Sequence, residues 1–236
     1  MRLSCTPAFL LSTFLLVSPG SSAQQPAATA KPATIVFRFA WNQGMPWLDY
    51  AFTVSEDGAT HYSGTANPAE SGDGDTFQQN FVMSQANAQS VFQWAKATDY
   101  FQGQFETKTK NVAKTGTKTL EYHGPTLDTS TTYNYSPNPN IQQITKLFQS
   151  IAVTLDYGRK LAYQYRFDKL GMDTRLKELV DLKNNGQAEE LQAIEPILRK
   201  IADDDNMMHM ARLQARQLLK AAGPDASPSK PPTSQP

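Results

Sequence analysis

Residues 47–65 read WLDYAFTVSEDGATHYSGT, and this stretch decides the fold class. Its first half places apolar side chains at every second position, as a strand with one buried face does. These side chains are Leu48, Tyr50, Phe52 and Val54. Asp57-Gly58 follows, a dipeptide that tolerates the positive φ angles of a tight turn. We therefore predict a β-hairpin formed by residues 47–56 and 59–65, with Tyr62 on the buried face.

The same period of two extends to both sides of the hairpin. Residues 34–41 alternate in this way and have one aromatic-rich face, and the spacing of Phe77, Phe81 and Met83 indicates a further strand. Residues 107–112 and 115–123 are predicted to pair around a turn near Lys114-Thr115-Gly116. The Thr- and Tyr-rich residues 129–135 favour one more strand.

Helical signals interrupt and follow these strands. Ser84 is typical of a helix N-cap, and the apolar side chains after it recur at helical spacing. They are Ala88, Val91, Phe92 and Ala95. Asn138-Pro139 predicts the start of a second helix, with asparagine as cap and proline in the first turn. From residue 157 onward the pattern indicates several short helices, and Pro196 must kink one of them or reset its start.

The order of elements predicts an α+β fold. We expect an antiparallel sheet with two packed helices, in the order strands-helix-strands-helix, followed by a C-terminal helical hairpin or bundle. The expected organisation is an α+β domain over 34–155 and a helical region over 156–222, which either caps the sheet or forms a separate arm. Residues 24–33 and the Pro-rich residues 223–236 are expected to be a disordered linker and tail.

The N-terminal residues predict export. Arg2 precedes an apolar run over residues 8–17, Pro19-Gly20 breaks it, and Ser21-Ser22-Ala23 offers small side chains to a signal peptidase. This is the layout of a secretory signal peptide, and the run is too short to span a bilayer. We expect cleavage after Ala23 and a periplasmic or secreted bacterial protein without a transmembrane span.

Composition narrows the function classes. The single cysteine, Cys5, lies within residues 1–23, so the expected mature chain has no disulfide, thiolate metal site or cysteine nucleophile. Lysine and arginine total 22, as do aspartate and glutamate, and this balance provides no field that gathers nucleic acid. The 12 Phe, 9 Tyr and 3 Trp can supply a core instead. No residue pattern indicates a cofactor.

Catalytic signals are weak. The chain has no G-x-S-x-G, S-x-x-K, H-E-x-x-H or phosphate-binding loop. A site could still assemble in three dimensions, and the first candidates are Glu121, His123 and Asp128. A turn at Gly124-Pro125 would return Asp128 towards His123.

Aromatic side chains are the first candidates for binding. Trp41, Trp47, Tyr50 and Tyr62 could stack on a ligand or fill a partner groove if they are exposed, although a core role is favoured. Four lysines, Lys108, Lys110, Lys114 and Lys118, would share one face of a continuous strand. Such a basic ribbon would contact polyanions or glycans, or would protect a sheet edge from aggregation, which we favour.

Metal binding has two weak candidates. Met207, His209 and Met210 offer the soft ligands that suit Cu(I), although His209 points away from the two thioethers on a helix, and a core position is favoured for both methionines. Glu70, Asp73 and Asp75 lie in a Gly-containing segment and offer the oxygen ligands that calcium prefers, but without the full spacing of a calcium loop.

Residues 35–64 resemble the start of a small uncharacterised α+β domain of exported bacterial proteins. The matching features are Gly44-Met45-Pro46, the alternating run from Tyr50 to Val54, Asp57-Gly58 and Tyr62-Ser63-Gly64. The resemblance extends over about residues 34–155 and implies the fold but no activity.

These observations favour a non-catalytic binding or interaction module of the bacterial envelope. It would bind a protein, an envelope component or a ligand through its sheet or its helical part. The alternatives are a hydrolase with a site assembled only in three dimensions and a periplasmic metal-binding protein.

Overall fold

The computed structural model describes residues 32–41, 49–65 and 76–223. It confirms the predicted α+β class, with a six-stranded antiparallel sheet and helices that follow it. The predicted signal peptide, the linker up to residue 31, Trp47, the acidic segment 66–75 and the tail from residue 224 lie outside the described residues.

The strands lie in the order β4-β3-β2-β1-β5-β6, and every neighbouring pair is antiparallel. Their bounds are β1 Thr34–Ala40, β2 Tyr50–Ser55, β3 Ala59–Thr65, β4 Thr76–Val82, β5 Thr117–His123 and β6 Asp128–Tyr133.

The predicted hairpin is confirmed within the described residues. β2 pairs with β3, and Phe52 stands opposite Tyr62. Gly58 has a φ of +85°, the left-handed conformation that favours glycine, and Asp57 Oδ1 accepts a hydrogen bond of 3.0 Å from the Ala59 N–H. The local Asp-Gly signal therefore forms the turn.

The described residues contain five α-helices. They are α1 Gln85–Ala97, α2 Pro139–Phe167, α3 Met172–Asn184, α4 Glu195–Asp203 and α5 His209–Ala222, with short 3₁₀ turns at Asp99–Phe101 and Leu191–Ile194. The two predicted N-caps are confirmed, since Ser84 and Asn138 each accept backbone N–H groups of the first turn. Pro196 stands in the first turn of α4, so it resets the helix start.

One face of the sheet and the helices share a hydrophobic core. The Phe37 ring on β1 stacks on Phe148 of α2 with centroids 5.0 Å apart, and Phe52 contacts the same ring at 5.1 Å. Leu198 and Leu218, from the C-terminal helices, belong to the same buried cluster. The boundary expected at 155/156 falls inside α2, and the described residues on both sides of it belong to one compact unit.

The strand expected over residues 107–112 was wrong. This segment is irregular, Asn111 has a φ of +65°, and β5 pairs with β1 and β6 instead. Only Val112 is apolar in this stretch, so a strand there would have no buried face to stabilise it. Consequently Lys108, Lys110, Lys114 and Lys118 do not form a ribbon, and Lys118 is buried in β5.

No helix of the described residues combines the length and the apolar character required to cross a membrane.

Candidate functional site

The structure brings Glu121, His123 and Asp128 together. His123 ends β5 and stands opposite Asp128, the first residue of β6, across the short connection that contains Gly124-Pro125. His123 Nδ1 lies 2.9 Å from Asp128 Oδ1, and His123 Nε2 lies 3.3 Å from Glu121 Oε2. Arg38 of β1 donates from Nε to the other Glu121 oxygen at 3.1 Å. The four side chains form a hydrogen-bonded chain on the open face of the sheet.

The two carboxylates of this cluster favour the protonated form of His123. The hydrogen bond to Asp128 raises the pKa of His123 above its ordinary value of 6.5, against a smaller effect of partial burial, and Glu121 adds to the rise. Burial alone would raise the pKa of Glu121, but its hydrogen bonds with Arg38 and His123 lower it on balance. Both imidazole nitrogens are paired with carboxylates, so neither is placed to activate a nucleophile. The His123 side chain is 47% exposed, and it lines neither the cavity that Lys118 borders nor the one that Val82 borders.

The aromatic candidates contribute mainly to the core. Tyr62 is buried, and the half-buried Tyr50 ring stacks on Phe39 with centroids 5.1 Å apart. Burial raises the pKa of both phenols. Trp41 is half-buried beside Phe39 at the end of β1, and its backbone N–H donates to Asp49 at 2.7 Å. These three rings therefore do not form an exposed stacking surface.

The soft-ligand candidates differ in exposure, since Met207 is buried whereas His209 and Met210 are exposed. Met207 is 5% exposed and belongs to the core, whereas Met210 is 56% exposed on the first turn of α5. The expectation that both methionines are buried was therefore half wrong, because α5 begins only at His209 and Met207 precedes it. The described residues hold no group of three or more His, Cys, Asp or Glu side chains arranged to bind a metal.

A cavity that the sequence did not predict lies between β5, β6 and α2. Its volume is about 280 Å³. It is lined by Thr115, Lys118, Tyr133, Asn134, Tyr135, Ser136, Ile141, Gln142, Thr145, Lys146 and Gln149. These eleven residues include two lysines and no carboxylate, so the cavity is cationic.

Lys118 forms one wall of the cavity and is held by oxygen atoms. Its Nζ donates to the carbonyls of Thr115, Gly116 and Asn134 at 3.1, 3.0 and 2.7 Å, and it lies 2.7 Å from Thr115 Oγ1. Burial lowers the pKa of this ammonium, and the nearby Glu106 opposes the shift. The lysine therefore ties the turn before β5 to the end of β6 and fixes the shape of the wall.

The side chains of α2 form the opposite wall. Thr145 Oγ1 lies 2.6 Å from the Tyr133 hydroxyl, and Gln142 Nε2 donates to the Tyr135 hydroxyl at 3.1 Å. Lys146 and Gln149 follow on the same helix face, and neither forms a hydrogen bond or ion pair with another described residue. One ammonium and one carboxamide at the cavity are therefore available to a ligand.

One feature of the sequence could have indicated this cavity. Lys118 alternates with the buried Leu120 and Tyr122 along β5, so the period of two places a lysine on the buried face. A buried lysine requires partners, and this requirement indicates a specific polar structure around it. The other two segments that complete the cavity gave no such signal.

Comparison with known proteins does not assign this chain to a family. No protein-family model matches the chain, and no curated protein matches it significantly.

Proposed function

We propose that this chain is an exported bacterial binding protein that holds a small organic anion in the cavity between β6 and α2. One observation carries the proposal: the cavity presents two lysines and no carboxylate. Glu106 lies near Lys118, but Lys146 has no carboxylate partner among the described residues, and an unpaired ammonium attracts negative charge. The Lys146 ammonium is the group available to contact it, since Lys118 already donates to backbone oxygens.

The rest of the cavity defines the body of the ligand. The Tyr135 ring, 44% exposed, contributes apolar surface, and the Gln149 carboxamide can orient one polar atom. A volume of about 280 Å³ is at the small end of ligand sites. The ligand class is therefore a compact aromatic or branched carboxylate.

Binding without catalysis is favoured by the state of the reactive groups. Lys118 would lose its hydrogen bonds to several oxygens if it acted as a free amine nucleophile. The hydrolase alternative depends on the cluster of Glu121, His123 and Asp128, in which both imidazole nitrogens are occupied. We therefore place the hydrolase second and the metal carrier third.

The proposed export depends on residues 1–23 alone, which have the layout of a signal peptide. The proposed periplasmic or secreted location depends on the same residues. Fractionation of the native cells and N-terminal sequencing test it. A mature protein in the periplasm or medium that begins at Gln24 supports export, and an uncleaved cytosolic chain overturns it.

Amide chemical shifts test the ligand site. The purified protein is titrated with benzoate and with benzamide, its neutral counterpart of nearly the same shape. We expect benzoate to shift amides of residues 115–118 and 133–149, and benzamide to shift them less. Lys146→Gln should remove the preference for benzoate. Lys177→Gln changes an exposed lysine on α3 and should retain it.

The outcome that contradicts the proposal is specific. Shifts elsewhere in the protein, no saturable shifts with either probe, or a preference for benzoate that survives in the Lys146→Gln variant would show that the Lys146 ammonium in this cavity does not select an organic anion.

A further inference from the structure

The two edges of the sheet differ in what lies beside them. Beside β6, the irregular segment before β5 runs along the edge: the Thr107 N–H donates to the Tyr135 carbonyl at 2.9 Å, and Thr131 Oγ1 donates to the Gly103 carbonyl at 3.2 Å. On the other edge, β4 pairs with β3, and no strand of the described residues lies on its outer side. An unpaired edge is a template for another strand.

The hydrogen-bond pattern shows which backbone groups of β4 point outward. The Met83 N–H donates to the Gly58 carbonyl at 2.9 Å, so Ala59 and Val82 form a non-hydrogen-bonded pair. Strict alternation then directs the backbone groups of Phe77, Gln79 and Phe81 to β3. The groups of Thr76, Gln78, Asn80 and Val82 face the open edge. The Val82 carbonyl accepts a long hydrogen bond of 3.4 Å from Gln192 Nε2, which agrees with this assignment.

The sequence of β4 is nearly symmetric about its centre. The strand reads TFQQNFV, and Gln79 is the middle residue. Counting outward from it, Gln78 matches Asn80, Phe77 matches Phe81, and Thr76 matches the similarly shaped Val82. In an antiparallel pair of two identical strands, a residue before the centre stands opposite a residue equally far after it. A β4–β4 pair would therefore place like side chains opposite each other.

We propose that β4 is a dimer interface, paired antiparallel with β4 of a second copy around a two-fold axis at Gln79. In this register Gln78 faces Asn80 of the second copy, and both carry outward-facing backbone groups, so their N–H and carbonyl groups can bond to each other. Thr76 and Val82 meet in the same way once Gln192 releases the Val82 carbonyl. A pairing shifted by one residue would set outward-facing groups against groups already bonded to β3.

Charge and burial support a second copy as the occupant. β4 carries no charged residue and no proline, the devices with which proteins commonly block an edge. Two copies therefore meet without like-charge repulsion. Phe77 and Phe81 are half-buried on the inner face of β4. In the dimer, Phe77 of one copy would contact Phe81 of the second copy. A two-fold interface is self-complementary, as this strand is.

Sedimentation of the purified protein over a wide concentration range tests the interface. The wild type should double its molar mass as concentration rises. Gln78→Pro removes one outward-facing N–H without removing a bond to β3, and it should remain monomeric. Gln78→Thr is the matched control, because it keeps the N–H and should still dimerise.

Circular dichroism distinguishes a lost interface from a lost fold. If Gln78→Pro fails to fold, Gln78→Lys takes its place, since it keeps the backbone and sets a pair of like charges close together across the axis. A wild type that stays monomeric at all concentrations overturns the proposal. A dimer that persists in folded Gln78→Pro or Gln78→Lys also overturns it, because the interface would then lie elsewhere.

Discussion

Replacing Glu190 by alanine should lower the free energy of unfolding by about 3–5 kcal/mol. Glu190 is 4% exposed and has no basic partner among the described residues. Its carboxylate accepts hydrogen bonds from the Ser84 N–H and hydroxyl, both at 2.7 Å, and from the Asn87 carboxamide at 2.5 Å. Gln192 donates to it as well. The carboxylate thus attaches the chain after α3 to the N-terminus of α1.

The magnitude follows from the donors that lose their acceptor. A hydrogen bond to a charged group contributes about 1.5–3 kcal/mol, and water can replace part of it because the donors are only partly buried. Four such bonds, reduced by the water that replaces them and increased by the attraction of the helix dipole for a negative charge, lead to about 4 kcal/mol. For a chain of this size each kcal/mol lowers Tm by about 2–4 °C, so a fall of about 6–20 °C is expected.

Two further variants separate the loss of the Glu190 carboxylate from backbone strain and from the loss of a surface ion pair. Glu190 has a φ of +58°, so Glu190→Gly should cost about 1 kcal/mol less than Glu190→Ala although both lack the carboxylate. Glu189→Ala is the control, because Glu189 forms only a half-exposed ion pair with Lys183 at 3.0 Å and should cost less than about 1 kcal/mol. Urea unfolding followed by circular dichroism measures all three. A loss below about 1 kcal/mol for Glu190→Ala, or equal losses at positions 189 and 190, would refute the reasoning.

Three more predictions concern packing, pH and the cavity wall. Gly158→Ala should lose about 1–3 kcal/mol despite the better helix propensity of alanine, because its Cβ would overlap Ile194; in thermal unfolding, an Ile194→Ala background should relieve the loss. His123→Gln should cost less than about 1 kcal/mol, since the side chain is 47% exposed. Folding raises the pKa of His123 above its ordinary value of 6.5. The stabilisation that the imidazole gains from its two carboxylate partners is therefore complete below pH 6.5 and disappears as pH rises through the raised pKa. In urea unfolding, the difference in free energy of unfolding between wild type and His123→Gln should therefore shrink as pH rises. A difference that grows with pH would contradict the prediction. Lys118→Met should cost about 2–4 kcal/mol in urea unfolding, because the carbonyls of Thr115, Gly116 and Asn134 lose their donor; a neutral result would show that water replaces the ammonium.

The parts of the fold that were predictable from sequence are those with local causes. The Asp57-Gly58 turn, the Ser84 cap and the Asn138-Pro139 start each depend on a few neighbouring residues. Glu121, His123 and Asp128 could be grouped because one short connection joins their strands. The error over residues 107–112 arose where strand propensity had no buried face to support it.

The cavity was not predictable because its walls come from separate parts of the chain. Lys118, Asn134 and Lys146 meet only after β5, β6 and α2 have packed together. The attachment of Glu190 to Ser84 is equally non-local, since 106 positions separate the two residues. Period and propensity describe one element at a time, so they do not report which elements will face each other.

The most direct test of the binding proposal is a calorimetric cycle with two probes and two proteins. Benzoate and benzamide differ in charge, and wild type and Lys146→Gln differ in the ammonium that should recognise it. We predict that wild type prefers benzoate by about tenfold, or about 1.4 kcal/mol, and that Lys146→Gln loses this preference. Equal affinities of the wild type for both probes, or a preference that survives in Lys146→Gln, would contradict the account.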